Sequence, residues 1–372
     1  MRTRGGSGRI LVLGTGGTIS SSVKRGKYGV APTYSIEEIL EFVPQARETA
    51  DLCTAMPIEE DGKTIYVDSS NMQPEYMQQV ARCIYKAFND EGVDGAVVLH
   101  GTDTLEESCA DLTFELLRKQ IPVVFTGSMR PIDARRTDAV KNIMNAIQMA
   151  SSGMPGTYVV FNGRVISAPR TKKLHPSYVD AFRSINFPEL GRFVGGDLRL
   201  TDAGMHAIRS YSEKSRGKGM ELRAGYSNDV HLLELYRGIR PSIIDHFFEE
   251  GYLGLVLKAF GTGGVPNWQD YMALVPKIER WSRERFIGIV SEAFTGQVTS
   301  EYEVTNLAVH AGAVPLHDML PRTALSKARW ALGQTRDIDA VKALMAYPFE
   351  NEVTTPEELR VSDADIDRIL KR

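Results

Sequence analysis

Apolar runs of strand length, each closed by a turn of small residues and mostly followed by a helix-type segment, recur four times in the first half of the chain. "RILVLG" runs into "TGGT", "GAVVLH" into "GTDT", "PVVFT" into "GSM", and "GTYVVF" into "NG". Strands so uniformly apolar are buried on both faces, which a sheet with one wet face does not provide. The helical segments between them supply the crossovers that parallel strands need. Ser35–Ile36–Glu37–Glu38 reads as a capping box opening a helix that stops before Pro44. Pro74 suits a first helical turn, with Met77, Val80, Ile84 and Phe88 following at helical spacing up to Gly92. The expected fold class is α/β, a doubly wound and mainly parallel sheet in an N-terminal domain over residues 1–200.

The pattern lapses over residues 201–228, where "SEKSRGKG" is charged and small, and this stretch reads as a linker. A second alternation, "DVHLLELY", "LGLVLKAF" and "FIGIVS", points to a smaller α/β C-terminal domain over residues 229–372 with a helical tail. The 372 residues suffice for two domains with full cores. With 44 basic against 47 acidic residues, bulk charge favours neither nucleic acid nor an anionic membrane as partner. No apolar run approaches the ~20 residues that span a bilayer, and no hydrophobic leader segment follows "MRTRGGSGR". Cys53, Cys83 and Cys109 have no CxxC spacing, which fits a reduced, cytoplasmic protein.

In an open parallel sheet the turns that follow the strands line its carboxyl edge. Thr18, Thr102–Asp103 and Thr126–Gly127–Ser128 are therefore expected on one rim. The glycines before Thr18 do not make a nucleotide fingerprint, because the last position of G-x-G-x-x-G holds Ile19 and no P-loop lysine follows. They suit close backbone approach of a ligand instead. The echo "LKAFGTGGVP" at Leu257–Pro266 keeps the glycines and replaces the threonine with Val265. Taken singly, Thr18 reads as a cap or a nucleophile, Thr102–Asp103 as a helix N-cap or a reactive pair, and Lys172–Lys173 as solvated surface or a proton relay. His100 reads as a structural histidine, and His317–Asp318 lacks a third ligand, so neither metal nor cofactor is expected.

As a set, these motifs resemble the L-asparaginase family, in its cytoplasmic (type I) and archaeal-type branch. "LGTGGTI" and "LHGTDTLEES" resemble its two signatures, and "PVVFTGSMRP" and "KKLHPSYVDAFRSIN" further blocks. The resemblance implies that Thr18 is the nucleophile and that Tyr28 in "KYGV" orients it or shuttles its proton. It implies that Asp68, Ser69 and Ser70 in "VDSSNM" bind the amino-acid end of the substrate. Thr102, Asp103 and Lys173 would form a second, triad-like group, with Thr102 and Asp103 also touching substrate. The family's substrate is L-asparagine, in some members L-glutamine, and its members pair as homodimers or homotetramers. The chain departs from the family at Gly264, where asparagine is usual, and at Asp318–Met319–Leu320, where type I members read "DMT".

The implied function is hydrolysis of asparagine to aspartate and ammonia through a threonine acyl-enzyme. The rival within the same resemblance is the ammonia-generating subunit of the archaeal-type glutamyl-tRNA(Gln) amidotransferase. That subunit carries an extra N-terminal β-rich domain, whereas about nine residues precede the first strand here. A rival of another class is a non-catalytic amino-acid sensor, which would need the charge clamps but no nucleophile.

Overall fold

The computed structural model of the chain describes residues 8–22, 33–269, 272–299, 301–354, 356 and 361–371. Two compact units divide it, Met1–Ala224 and Gly225–Arg372. In the first, eight strands form one sheet: β1 (Arg9–Gly14), β2 (Asp51–Ala55), β3 (Gly95–Leu99), β4 (Pro122–Thr126), β5 (Gly156–Phe161), β6 (Arg164–Ser167), β7 (Gly191–Val194) and β8 (Asp197–Leu200). Their order is β8-β7-β6-β5-β4-β3-β1-β2, parallel from β5 to β2 and antiparallel from β5 to β8.

Side-chain alternation sorts the strands into two cores. Ile10 and Val12 of β1, with Val97, Leu99 and Val124, face one core, which helices α1 (Ile36–Glu41) and α4 (Ala139–Ala150) cover. Leu11 and Leu13, with Ala96, Val98, Val123 and Phe125, face the other, under α2 (Pro74–Lys86) and α3 (Leu105–Glu115). A strand buried on both faces has no polar side to show, which is why these runs are uniformly apolar. Local signals set the helix ends. Ser35 Oγ accepts the Glu38 amide and Glu38 Oε2 accepts the Ser35 amide, as the capping box predicts. Gly92 closes α2 and the π-turn after it in the left-handed conformation, φ 67°.

The 201–228 stretch expected as a linker is structured. Helix α5 (Asp202–Ser215) buries Gly204, Ala207, Ile208 and Tyr211 on one face, and Glu221–Leu222 pairs antiparallel with Leu116–Leu117. Tyr211 Oη accepts the buried Lys119 amide at 3.0 Å. The charged segment that suggested a linker is the solvated end of this helix and the turn after it.

The second unit holds a four-stranded parallel sheet in the order β9 (Val230–Glu234), β10 (Gly254–Ala259), β11 (Phe286–Ser291) and β12 (Val314–Pro315). Helices α6 (Ser242–Glu249), α7 (Val275–Trp281), α8 (Glu303–His310), α9 (Pro321–Gln334), α10 (Ile338–Ala346) and α11 (Asp363–Leu370) complete it. Trp330 of α9 is fully buried. Among the described residues no helix is long and apolar enough to cross a membrane.

Candidate active site

The chain leaves β1 to build β2 on one side and returns to build β3 on the other. Strand order reverses there, and in open α/β sheets the loops leaving such strand ends bound the ligand crevice. The Thr15 amide and hydroxyl both donate to Leu99 O at 3.1 Å, holding the two ends together at its floor. Gly16 and Gly17 then turn through positive φ, 110° and 80°, a path closed to most side chains. A Cβ on Gly17 would be driven into the backbone of Gly101. One on Gly101 would lie 2.6 Å from Ser69 Cβ and 3.1 Å from Gly17 Cα. Segment 14–18 thus meets 100–104 at Gly17 and 67–71 at Gly16 backbone to backbone, the Ser69 side chain packs on Gly101, and Thr18 and Thr102 each follow directly on one of the abutting glycines.

Lys173 ends the short strand Thr171–Lys173, which pairs antiparallel with Phe182–Ser184. Its Nζ donates to Thr102 Oγ1 at 2.9 Å and to Asp103 Oδ1 at 2.6 Å. Thr102 is 7% exposed and the Lys173 side chain 14%, whereas the Asp103 side chain is 62% exposed. A sheltered amine and hydroxyl therefore sit beside a carboxylate that remains open to a solute. Arg164 and Arg183 clamp Asp180 at the far end of the hairpin. The Arg164 hydrogen bonds hold the Asp180 carboxyl well below the usual carboxylate range.

Asp68, Ser69 and Ser70 form a tight turn on the same crevice. Asp68 Oδ1 accepts the Ser70 amide at 2.9 Å and the Ser70 hydroxyl at 2.6 Å. Ser69 is buried and its Oγ accepts the Asp103 amide at 3.2 Å, while the Thr104 hydroxyl donates to Ser69 O at 2.7 Å. The structure thus brings Thr102, Asp103, Lys173 and Ser69 into direct contact, with Ser70 and Asp68 exposed on the same turn and Thr18 on the facing loop. Tyr28 lies outside the described residues. Thr104 and Glu106 also bond into this group, and neither stands out in the sequence. Their only signal was membership of the "HGTDTLEES" block.

His100, at the end of β3, is fully buried, with Nδ1 2.6 Å from Gly101 O. That contact requires the proton on Nδ1. Burial pushes the imidazole pKa down from 6.5 to about 4. The folded value lies below the unfolded one, so the associated stability is complete above pH 6.5 and is lost as pH falls toward 4, about 3 kcal/mol in all. His100→Asn, which keeps a donor for Gly101 O, is expected to flatten the dependence of Tm on pH across that window. An acid slope unchanged from wild type would mean that other groups cause it. Among the described residues no cluster of three or more His, Cys, Asp or Glu side chains could hold a metal.

Comparisons with known proteins agree with this architecture. The family described as "Asparaginase, N-terminal" matches residues 9–204, and "Glutaminase/Asparaginase C-terminal domain" matches residues 229–345. The chain is 33% identical over 347 residues to a glutamyl-tRNA(Gln) amidotransferase polypeptide of Metallosphaera sedula, covering 91% of this chain and 75% of that one. It is 32% identical over 347 residues to "L-asparaginase" of Thermococcus kodakarensis, covering 93% and 99%. Among solved structures, the thermostable L-asparaginase from Thermococcus kodakarensis superposes with a TM-score of 0.81 at 30% identity, covering 94% of this chain and 100% of that one. The probable cytoplasmic L-asparaginase from Campylobacter jejuni superposes with a TM-score of 0.71 at 26% identity, covering 91% and 99%.

Proposed function

The chain belongs to the asparaginase family, and from that premise we propose that it is an L-asparagine amidohydrolase acting through Thr18. The observation that carries the reading is the bond from Lys173 Nζ to both Thr102 Oγ1 and Asp103 Oδ1, on a loop whose Gly101 abuts Gly17, the residue before Thr18. Amide hydrolysis needs a nucleophile, a proton relay and donors for the developing oxyanion. A threonine hydroxyl is scarcely ionised at neutral pH, and base assistance is typically worth ~10²–10⁴-fold. In the first half-reaction Thr18 Oγ adds to the side-chain carbonyl carbon, its proton moves to the relay, and the C–N bond breaks as protonated nitrogen leaves as ammonia. In the second, water loses a proton to the Thr102–Lys173 pair and adds to the ester. Aspartate departs and the Thr18 hydroxyl is restored. Tyr28 is assigned to orienting Thr18. Amide groups about Thr102 serve as oxyanion donors, each worth roughly 3 kcal/mol.

Asp103, the open carboxylate, pairs with the substrate α-ammonium, and Ser69 and Ser70 hydrogen-bond its α-carboxylate. A pocket built for two charged ends rejects amides that lack them, because its polar groups would be left unpaired. Asparagine and glutamine differ by one methylene, a discrimination of only ~1–3 kcal/mol, so L-glutamine is a secondary substrate. The working form is a cytoplasmic homodimer or homotetramer.

The test is ammonia release by the purified chain alone, given L-asparagine or L-glutamine. Sustained release with L-asparagine is expected. Similarity to the amidotransferase polypeptide favours a second reading, in which the chain supplies ammonia within a complex. Release that begins only on adding a partner protein and tRNA would select it, and binding of L-asparagine without turnover would select a sensor.

A further inference from the structure

Resting on the assignment of Lys173 to the reaction, we propose that Glu106 is the positioning residue that holds Lys173 on Thr102. Glu106 stands in the first turn of α3, the helix that begins directly after Thr102, Asp103 and Thr104. Its side chain is 10% exposed, and both carboxylate oxygens are engaged. Oε2 accepts the backbone N–H of Lys173 at 3.2 Å, and Oε1 accepts Lys172 Nζ at 2.9 Å.

Lysine is a strongly hydrated point charge on a flexible four-carbon stem, so its own side chain does little to fix where the amine sits. The strand that carries it is three residues long, too short for its ladder to set the aim of one amine. Glu106 ties the Lys173 backbone to the helix start that presents Thr102 and Asp103. Amine, hydroxyl and carboxylate are thereby fixed to one rigid element. Lys172 neutralises the sheltered carboxylate, which would otherwise be a desolvated, unpaired charge.

Two substitutions of similar volume separate this role from a merely structural one. Glu106→Gln keeps an oxygen for the Lys173 N–H, and Glu106→Leu offers none. Three quantities are read on each folded protein: kcat and KM for L-asparagine, and the rate at which an acetyl N-hydroxysuccinimide ester acylates the Lys173 amine, followed by peptide mass spectrometry. For Glu106→Leu, kcat is expected to fall about tenfold or more with KM within about twofold, because a small misplacement of a reacting group is costly. Acylation of Lys173 is expected to rise about fivefold as the amine is released, and Glu106→Gln is expected to restore most of both. Wild-type kcat and acylation in Glu106→Leu would overturn the assignment, as would equal losses in the two variants. Should Glu106→Leu not fold, Glu106→Ala takes its place under the same criteria. If the wild-type chain hydrolyses no amide, the functional reading fails while the acylation rates still decide the role of Glu106.

Discussion

Thr18→Ala is expected to lower kcat for L-asparagine by about 10³–10⁴-fold while leaving Tm within about 2 °C of wild type. The two halves of that expectation come from different parts of the structure. Thr18 opens a short turn held by backbone hydrogen bonds, from the Ser21 amide to Thr18 O and from the Ser20 amide to Gly17 O. Alanine keeps both. The side chain is only half-buried, so its loss falls among substitutions usually worth less than about 1 kcal/mol. In the proposed reaction, by contrast, the hydroxyl oxygen forms and later releases the ester. Thr102→Ala and Lys173→Met are expected to fall in the same range, because residues acting as one unit are not additive. Steady-state ammonia release, with circular dichroism melting of each variant, checks the set. Full turnover in both threonine variants would remove the chemistry from this crevice.

The second large effect concerns stability. Lys327 of α9 and Glu352 are both completely buried and bonded to each other at 2.7 Å. The ammonium also donates to Met345 O at 2.9 Å and Tyr347 O at 2.6 Å, and the carboxylate accepts the Phe349 and Glu350 amides at 2.8 and 2.7 Å. Burial opposes the charge on Glu352, but Lys327 and the two amides outweigh it and hold the carboxyl below its usual range. The chain after α10 is thereby fastened to α9 by a fully satisfied ionic knot. Lys327→Met fills the volume and strands the carboxylate, so a loss of about 3–5 kcal/mol and a fall in Tm of about 10 °C are expected. Glu352→Gln added to Lys327→Met is expected to recover part of the loss, since the buried charge is then gone. A single variant that melts with wild type would show that the pair contributes nothing.

Much of the fold was legible because its signals are local or periodic. Ile10 and Val12 against Leu11 and Leu13 announce a strand with two buried faces, and Ser35 with Glu38 announces a helix start, each within a few residues. The rim also followed from strand ends alone, since parallel topology collects them. What the sequence concealed depends on partners far along the chain. Helix α5 has a buried stripe at helical spacing, but what it meets, such as Leu190 O against Gly204, is known only once the sheet exists. Its charged end therefore passed for a linker. Lys173 looked like surface until set beside Thr102, 71 residues away, and only the family resemblance singled it out. Glu106 gave no sign beyond its place in the "HGTDTLEES" block. An acidic residue in a first helical turn is ordinary helix chemistry, and its grip on Lys173 spans 67 residues.

The most direct test of the central claim is to quench the purified chain during turnover of L-asparagine and map the aspartyl ester by peptide mass spectrometry. The account predicts an ester on the peptide containing Thr18, absent in Thr18→Ala and accumulating in Lys173→Met. An ester on Thr102 instead, or ammonia released with no ester on either threonine, would contradict it.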